Sequence, residues 1–267
     1  MKTCFSTLGC PQWSWEEMIS SAKDLGFDGI EIRGIENELY IPKYKLFSDN
    51  SIAATKEKIQ KLNMQISCLT SSCCLFDKSN IECYLMEGKE YVDLASRLGV
   101  PYIRVLGDGS PGPGVGIDLD YTAENISILA DYANGKDVVV LVETNGVFAA
   151  SDEMLRLIGK INSPNVGVLW DVHHPYRYFK EPVEETYGKL KAYIKFVHIK
   201  DSVVVSDIIK YMMVGHGDVP VREALNLLKG GGYEGYVSLE WVKRWCIDLE
   251  EPGIVFSHFV NFMRSML

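Results

Sequence analysis

Eight short apolar runs rich in β-branched residues, each followed by a longer amphipathic stretch, recur from one end of the chain to the other. They are "CFSTLG" from Cys4, "GIEIR" from Gly29 to Arg33, "QISCLT" from Gln65 and "YIRVLG" from Tyr102, then "VVVLVET" from Val138, "VGVLWDV" from Val166, "IKFVHIKD" from Ile194 and "GYVSLEW" from Gly235. Runs of this length and composition read as strands. The stretches between them read as helices. In "SWEEMISSAKDLG", Ser14 is placed to cap the start and Gly26 stands just past the end, while "DYTAENISILADYANG" closes on Asn134-Gly135. Strand starts roughly 25 to 42 residues apart leave room for one helix each, which predicts a parallel sheet covered by helices. Eight such units predict an α/β protein of the (β/α)8 barrel class, with a doubly wound open sheet as the alternative. No Ser/Gly-rich linker or shift in composition divides the 267 residues, so a single domain over 1–267 is expected.

Composition narrows the function classes. A formal net charge of −9 disfavours a phosphate backbone as partner, since clustered Lys and Arg supply most of that affinity. No apolar run approaches the roughly 20 residues that span a bilayer, and "MKTCFSTLGCPQWSWEEM" is too interrupted for a secretory signal. The expected setting is therefore cytoplasmic, without nucleic acid or membrane partners. Seven cysteines (Cys4, Cys10, Cys68, Cys73, Cys74, Cys83 and Cys246), with no CxxC pair, read as reduced thiols.

In a (β/α)8 barrel the catalytic face is built from the C-terminal ends of the strands and the loops after them. Four consecutive strand candidates end in unusual residues: Glu143 in "VVVLVET", Asp171 in "VGVLWD", His198 in "IKFVH" and Glu240 in "GYVSLE". An isolated acid at a strand end is usually a helix cap or a surface ion-pair member. Four ligand types delivered from neighbouring strands instead converge on one point and suit a single divalent cation. Three carboxylates and one imidazole favour Mn²⁺, Mg²⁺ or Co²⁺, with Zn²⁺ also allowed.

The segments "VETNG", "WDVHH", "FVHIKD" and "SLEW", with "GFDGIEIR" and "GVPYIRVLG" in the first half, resemble the xylose-isomerase-like barrels. That superfamily includes sugar isomerases, ketose 3-epimerases, hydroxypyruvate isomerases and inosose dehydratases. The resemblance spans essentially the whole chain. It implies that Glu143, Asp171, His198 and Glu240 bind one metal, that Glu143 and Glu240 are also the acid and base, and that His174 hydrogen-bonds a substrate oxygen. It also implies a small carbohydrate as substrate and is compatible with a homo-oligomer.

This chemistry suits the residue types. A proton next to a carbonyl is removed at neutral pH only if the enolate oxygen is stabilised, which a bound metal does as a Lewis acid. Two carboxylates flanking the carbon then allow one to take a proton and the other to return one. Return to the opposite face epimerises, return to the neighbouring carbon isomerises, and loss of water on the same site makes a lyase of the inosose-dehydratase kind. A non-catalytic sugar-binding barrel is the remaining alternative.

Glu31, Arg33, Arg104 and Lys200 are further candidates for substrate contact, each with an ion pair or solvated side chain as the plain alternative. His173 and His258 are expected to pack or lie at the surface, and Trp13, Trp170 and Trp241 to fill the core or wall the sugar. "IENELYIPKYKLFSDN" and "GDGSPGPGVG" read as loops able to act as lids. The turn "GHGDVP", with His216 where the resembling proteins are usually acidic, offers backbone amides for a sugar phosphate. "HIKDSVVVSD" has valines where the ketose 3-epimerases usually carry an arginine, which counts against a free ketohexose as substrate.

Overall fold

A computed structural model describes residues 1–161 and 163–266. The strands are β1 Lys2–Ser6, β2 Gly29–Ile32, β3 Gln65–Cys74, β4 Tyr102–Leu106, β5 Val139–Glu143, β6 Val166–Asp171, β7 Ile194–Ile199, β8 Asp201–Val205, β9 Ile208–Met212 and β10 Tyr236–Leu239. The helices are α1 Trp15–Leu25, α2 Ile52–Lys61, α3 Ile81–Leu98, α4 Leu119–Ala133, α5 Ser151–Lys160, α6 Val183–Leu190, α7 Val221–Gly230 and α8 Pro252–Arg264. Among the described residues the strands close into a barrel in the order β1, β10, β7, β6, β5, β4, β3, β2. The ladders β1–β2, β1–β10, β3–β4, β4–β5 and β5–β6 are parallel. The expected (β/α)8 barrel is thus the observed architecture, and the open-sheet alternative is set aside.

By internal contacts the chain divides into two compact units, Met1–Ser67 with His198–Leu267, and Cys68–Val197. In the first, Phe256 of α8 stacks on Phe5 of β1 at 4.2 Å, and Phe27 meets Phe5 edge-on at 5.1 Å, sealing helix against sheet. In the second, Leu141, Val142, Val168, Leu169 and Phe196 are fully buried. There α3 comes so close to α4 that a methyl on Gly88 would lie 2.6 Å from Leu129.

Local signals acted as expected. Ser14 caps α1 in a reciprocal box with Glu17, and Gly26 ends it in the left-handed conformation at φ 84°. Asp118 caps α4 through the Tyr121 amide. Three readings need correction. "IKFVHIKD" is not one strand: β7 stops at Ile199, and Asp201 opens an antiparallel hairpin with β9. Its two-residue turn, Ser206-Asp207, has φ of 51° and 63°, the double-positive geometry of a type I′ hairpin between β-branched runs. Pro175 does not simply end β6, which stops at Asp171; it opens a wide π-helical turn, Pro175–Phe179, where its missing N–H costs nothing. The stretch after β2 holds two short helical turns whose Ile41, Tyr44 and Phe47 are buried, so it is packed rather than loose. No helix among the described residues is long and apolar enough to cross a membrane.

Candidate functional site

In the unit Cys68–Val197, β5 and β6 deliver Glu143 and Asp171 at their C-terminal residues, both buried. Thr144 ties the two strands together. Its hydroxyl accepts from the Asp171 amide at 2.8 Å and donates to the Asp171 carbonyl at 3.1 Å. Its carbonyl faces His174 Nδ1 at 2.9 Å. A carbonyl can only accept, so Nδ1 carries the hydrogen and Nε2 points the other way, 3.7 Å from Asp171 Oδ2. Asp171 uses Oδ1 to accept the amides of His173 and His174 at 2.9 and 3.2 Å. The aspartate is therefore a turn cap with one oxygen and a ligand candidate with the other. Asp171, His173 and His174 offer donor atoms within 4.8 Å of one another, so His173 belongs to a buried polar group as well as to the packing.

Arg104 lies against Glu143, Nε to Oε2 at 3.0 Å, and donates through Nη1 to the Ser71 carbonyl at 2.9 Å. Ser71 in turn donates to the Arg104 carbonyl at 2.7 Å. The expected substrate contact at Arg104 is in this structure a clamp between β3 and β5. A buried guanidinium held this way gives Glu143 one orientation.

In the unit Met1–Ser67 with His198–Leu267, β7 delivers His198 and the residue after β10 is Glu240, whose amide donates to the Ile199 carbonyl at 2.9 Å. His198 Nε2 pairs with Glu31 Oε2 at 3.0 Å, while Nδ1 faces Glu240 Oε1 at 3.4 Å. Ser238 donates to the same Glu31 oxygen at 2.5 Å. Glu31, read from the sequence as a substrate contact, sits under the imidazole and sets its orientation. Lys200 donates to Glu240 Oε2 and is buried with it, so it is a partner of the glutamate rather than a solvated lysine.

The loops show what sequence reasoning missed. Asp108 accepts the amides of Gly109, Gly114 and Val147 at 2.6–2.9 Å, and Asn145 donates to the carbonyls of Asp108 and Ser110. The "GDGSPGPGVG" segment is thereby pinned at its base to the residues just after Glu143. Asp201 does the same for "GHGDVP": its carboxylate accepts the amides of Ser202, Gly215, Gly217 and Val219. Those amides are already engaged by an anion of the protein itself, which overturns the reading of this turn as a phosphate cradle. His216 is exposed and packs edge-on to His258 at 4.8 Å; His258, on α8 as expected, hydrogen-bonds the Val214 carbonyl at 2.8 Å. Tyr178, in the π-helical turn, lies 6.0 Å from the His174 ring, and a methyl on Gly112 of the pinned loop would meet it at 3.4 Å. The aromatic-rich "HHPYRYF" gave no hint of such a turn, whereas Asp residues opening Gly-rich turns were a usable signal. Trp170 and Trp241 are core residues, and Arg33 stacks on Trp245.

The family model described as xylose isomerase-like TIM barrel matches residues 19–261. Fructoselysine 3-epimerase from Shigella flexneri is 28% identical over 100% of this chain and 98% of its own length. Among solved structures, an IOLI protein with a bound zinc atom overlays with a TM-score of 0.81 at 19% identity, covering 100% of this chain and 99% of the other. A probable 3-DHS dehydratase, AsbF from Bacillus anthracis, overlays at 0.80 with 16% identity, over 99% of both chains.

Proposed function

The chain belongs to the xylose isomerase-like TIM-barrel family, and on that premise we propose that it is a divalent-metal-dependent epimerase or isomerase of a small ketose or ketose derivative. The observation that carries the reading is a pair of buried donors at strand ends in each unit, Glu143 with Asp171 and His198 with Glu240, the residue types that one divalent metal would take. Arg104 pairs with Glu143 and Lys200 with Glu240, and a divalent cation is the further charge assigned to these donors. The set fits one: Glu31 occupies His198 Nε2 and leaves Nδ1 toward Glu240, the carboxylate–histidine arrangement that orients a ligating imidazole. Oxygen-rich donors with one nitrogen suit Mn²⁺, Mg²⁺ or Co²⁺, and Zn²⁺ is compatible. When bound there, the ion supplies Lewis-acid stabilisation of negative charge on the oxygen beside the reacting carbon.

The chain's own residues do the rest. Glu143 and Glu240 are the proton-transfer pair, one taking the proton from carbon and the other returning one. Arg104 orients the first and Lys200 the second. His174, its Nδ1 hydrogen committed to Thr144, presents Nε2 to a substrate hydroxyl. Full-length similarity to a fructoselysine 3-epimerase supports a ketose derivative as substrate. A lyase is the second reading, favoured by the Lys200 contact with Glu240, which places an acid beside the base where a departing hydroxide needs a proton.

The test is incubation of Mn²⁺-loaded protein in D₂O with ketoses, amine-substituted ketoses and inososes, with Glu240→Gln as control and product masses as readout. Deuterium gain that disappears in the variant supports enolisation by this pair; loss of water from substrate moves the assignment to the lyase. No change in any compound overturns the catalytic reading in favour of a sugar-binding barrel.

A further inference from the structure

The hairpin β8–β9, in the unit Met1–Ser67 with His198–Leu267, is a two-stranded sheet outside the barrel order. Ile208, Ile209, Tyr211 and Met212 make β9 apolar at all but one position, yet none of its five residues is buried. Val204, Val205 and Ile208 are 42, 44 and 63% exposed. A two-stranded hairpin is marginal in water unless a further strand or a helix covers it, and an apolar strand with an open edge is a template for another strand.

The register fixes which backbone groups face outward. Val205 and Ile208 flank the two-residue turn and face each other. In such a hairpin they exchange both hydrogen bonds, and each strand alternates from there between facing its partner and facing away. Ile208, Lys210 and Met212 therefore bond to β8, while Ile209 and Tyr211 turn their amides and carbonyls away from it. On β8 the outward positions are Val204 and Ser202, and the Ser202 carbonyl already accepts the Asp218 amide at 3.0 Å. The edge presented to a partner is thus that of β9.

This edge is complementary to its own copy. A two-fold axis beside Ile209 or Tyr211 runs two β9 strands antiparallel and makes an isologous contact. Centred on Ile209, Lys210 lies opposite Ile208 of the second copy; centred on Tyr211, it lies opposite Met212. Lys210 meets its own counterpart in neither register. Beyond Ser202 the hairpin carries one acid, Asp207, and one base, Lys210, so it is neutral on a chain of net charge −9.

A second apolar group lies beside the hairpin. Asp201 opens β8 two residues after Ile199, whose carbonyl takes the Glu240 amide at 2.9 Å, so the hairpin and the segment after β10 leave the barrel side by side. That segment exposes Trp245, Ile247 and Ile254 by 54 to 77%. Among the described residues of this unit, every exposed large apolar side chain lies on one of these two segments. At roughly 150–250 Å² for a large side chain, they leave about 600 Å² of apolar surface, the upper end of the largest patch on an ordinary monomer. Two copies face to face cover about 1,200 Å², which reaches the lower bound of a specific interface.

We propose that the edge of β9, with the apolar face after β10, is the surface through which two copies of this chain dimerise. Sedimentation velocity of the intact protein between about 1 and about 100 µM tests it, with the dimer expected as the main species at the upper end. Ile208→Lys puts a charge into the covered face, and Ile209→Pro removes the outward amide without breaking a bond to β8. Each is expected to raise the dimer dissociation constant at least about tenfold. Met86→Lys, at an exposed position on α3 in the other unit, leaves it within about twofold. Amide hydrogen exchange needs no variant and decides the question if a substitution unfolds the hairpin: the Ile209 amide exchanges more slowly at the high concentration than at the low. A dimer unaffected by both hairpin substitutions, or Ile209 exchange independent of concentration, overturns the surface. A monomer throughout the range overturns the second copy as occupant and leaves the face to a different protein.

Discussion

Replacing Thr144 with Val removes one hydroxyl and keeps the shape of the side chain. That hydroxyl accepts the Asp171 amide at 2.8 Å and donates to the Asp171 carbonyl at 3.1 Å, with both residues fully buried. The variant strands a buried N–H, at about 1–3 kcal/mol, and takes a donor from a buried carbonyl, at about 1 kcal/mol more. The expected loss is therefore about 2–4 kcal/mol, a large part of the roughly 5–15 kcal/mol typical of native stability. Urea unfolding measures it as a lower midpoint at unchanged slope. Thr144→Ser keeps the hydroxyl and loses one buried methyl, so it costs only about 1 kcal/mol. Because Asp171 hangs on this bond, Thr144→Val also weakens retention of Mn²⁺ in a chelator competition, and Thr144→Ser does not. A Thr144→Val protein within about 0.5 kcal/mol of the parent, or a Thr144→Ser protein equally damaged, refutes the assignment of Thr144 as the tie between β5 and β6.

Gly146→Ala is expected to cost about 2–5 kcal/mol. Gly146 has φ 58° and a methyl there would meet Asp108 at 2.2 Å, so a non-specific protease should also cut the 109–116 segment faster in the variant. Glu31→Gln removes the charge under His198, and metal affinity measured by chelator competition is expected to fall about 10–100-fold. Burial pushes the thiols of Cys4, Cys10 and Cys73 well above the ordinary 9.0. Above pH 9.0 the unfolded chain releases these protons and the folded one retains them, so their contribution is complete below that pH and is lost as pH rises. Each thiol lowers stability by about 1.4 kcal/mol per pH unit through that range. Melts between pH 8 and 11 read the slope, and a flat profile above 9 contradicts it.

The barrel and the four acid or imidazole positions at its strand ends were legible in the amino-acid sequence. Parallel strands buried on both faces must be nearly continuous apolar runs, so a charged residue at the end of "VVVLVE", "VGVLWD" or "GYVSLE" stands out against its neighbours. Caps such as Ser14 and Gly26 were legible for a local reason: they satisfy backbone groups within one turn of themselves. The partners of each site residue were another matter. That Glu31 serves His198, that Lys200 serves Glu240 and that Asp201 fills the turn at Gly215 and Gly217 depends on contacts between residues 14 to 167 positions apart. An acid or a lysine has the same local pattern whether it touches substrate, braces a ligand or caps a loop. Residue type and strand position are sequence properties and determined where the chemistry belongs; only the tertiary structure, which brings distant donors and acceptors within 3 Å, decided what each polar side chain is bonded to.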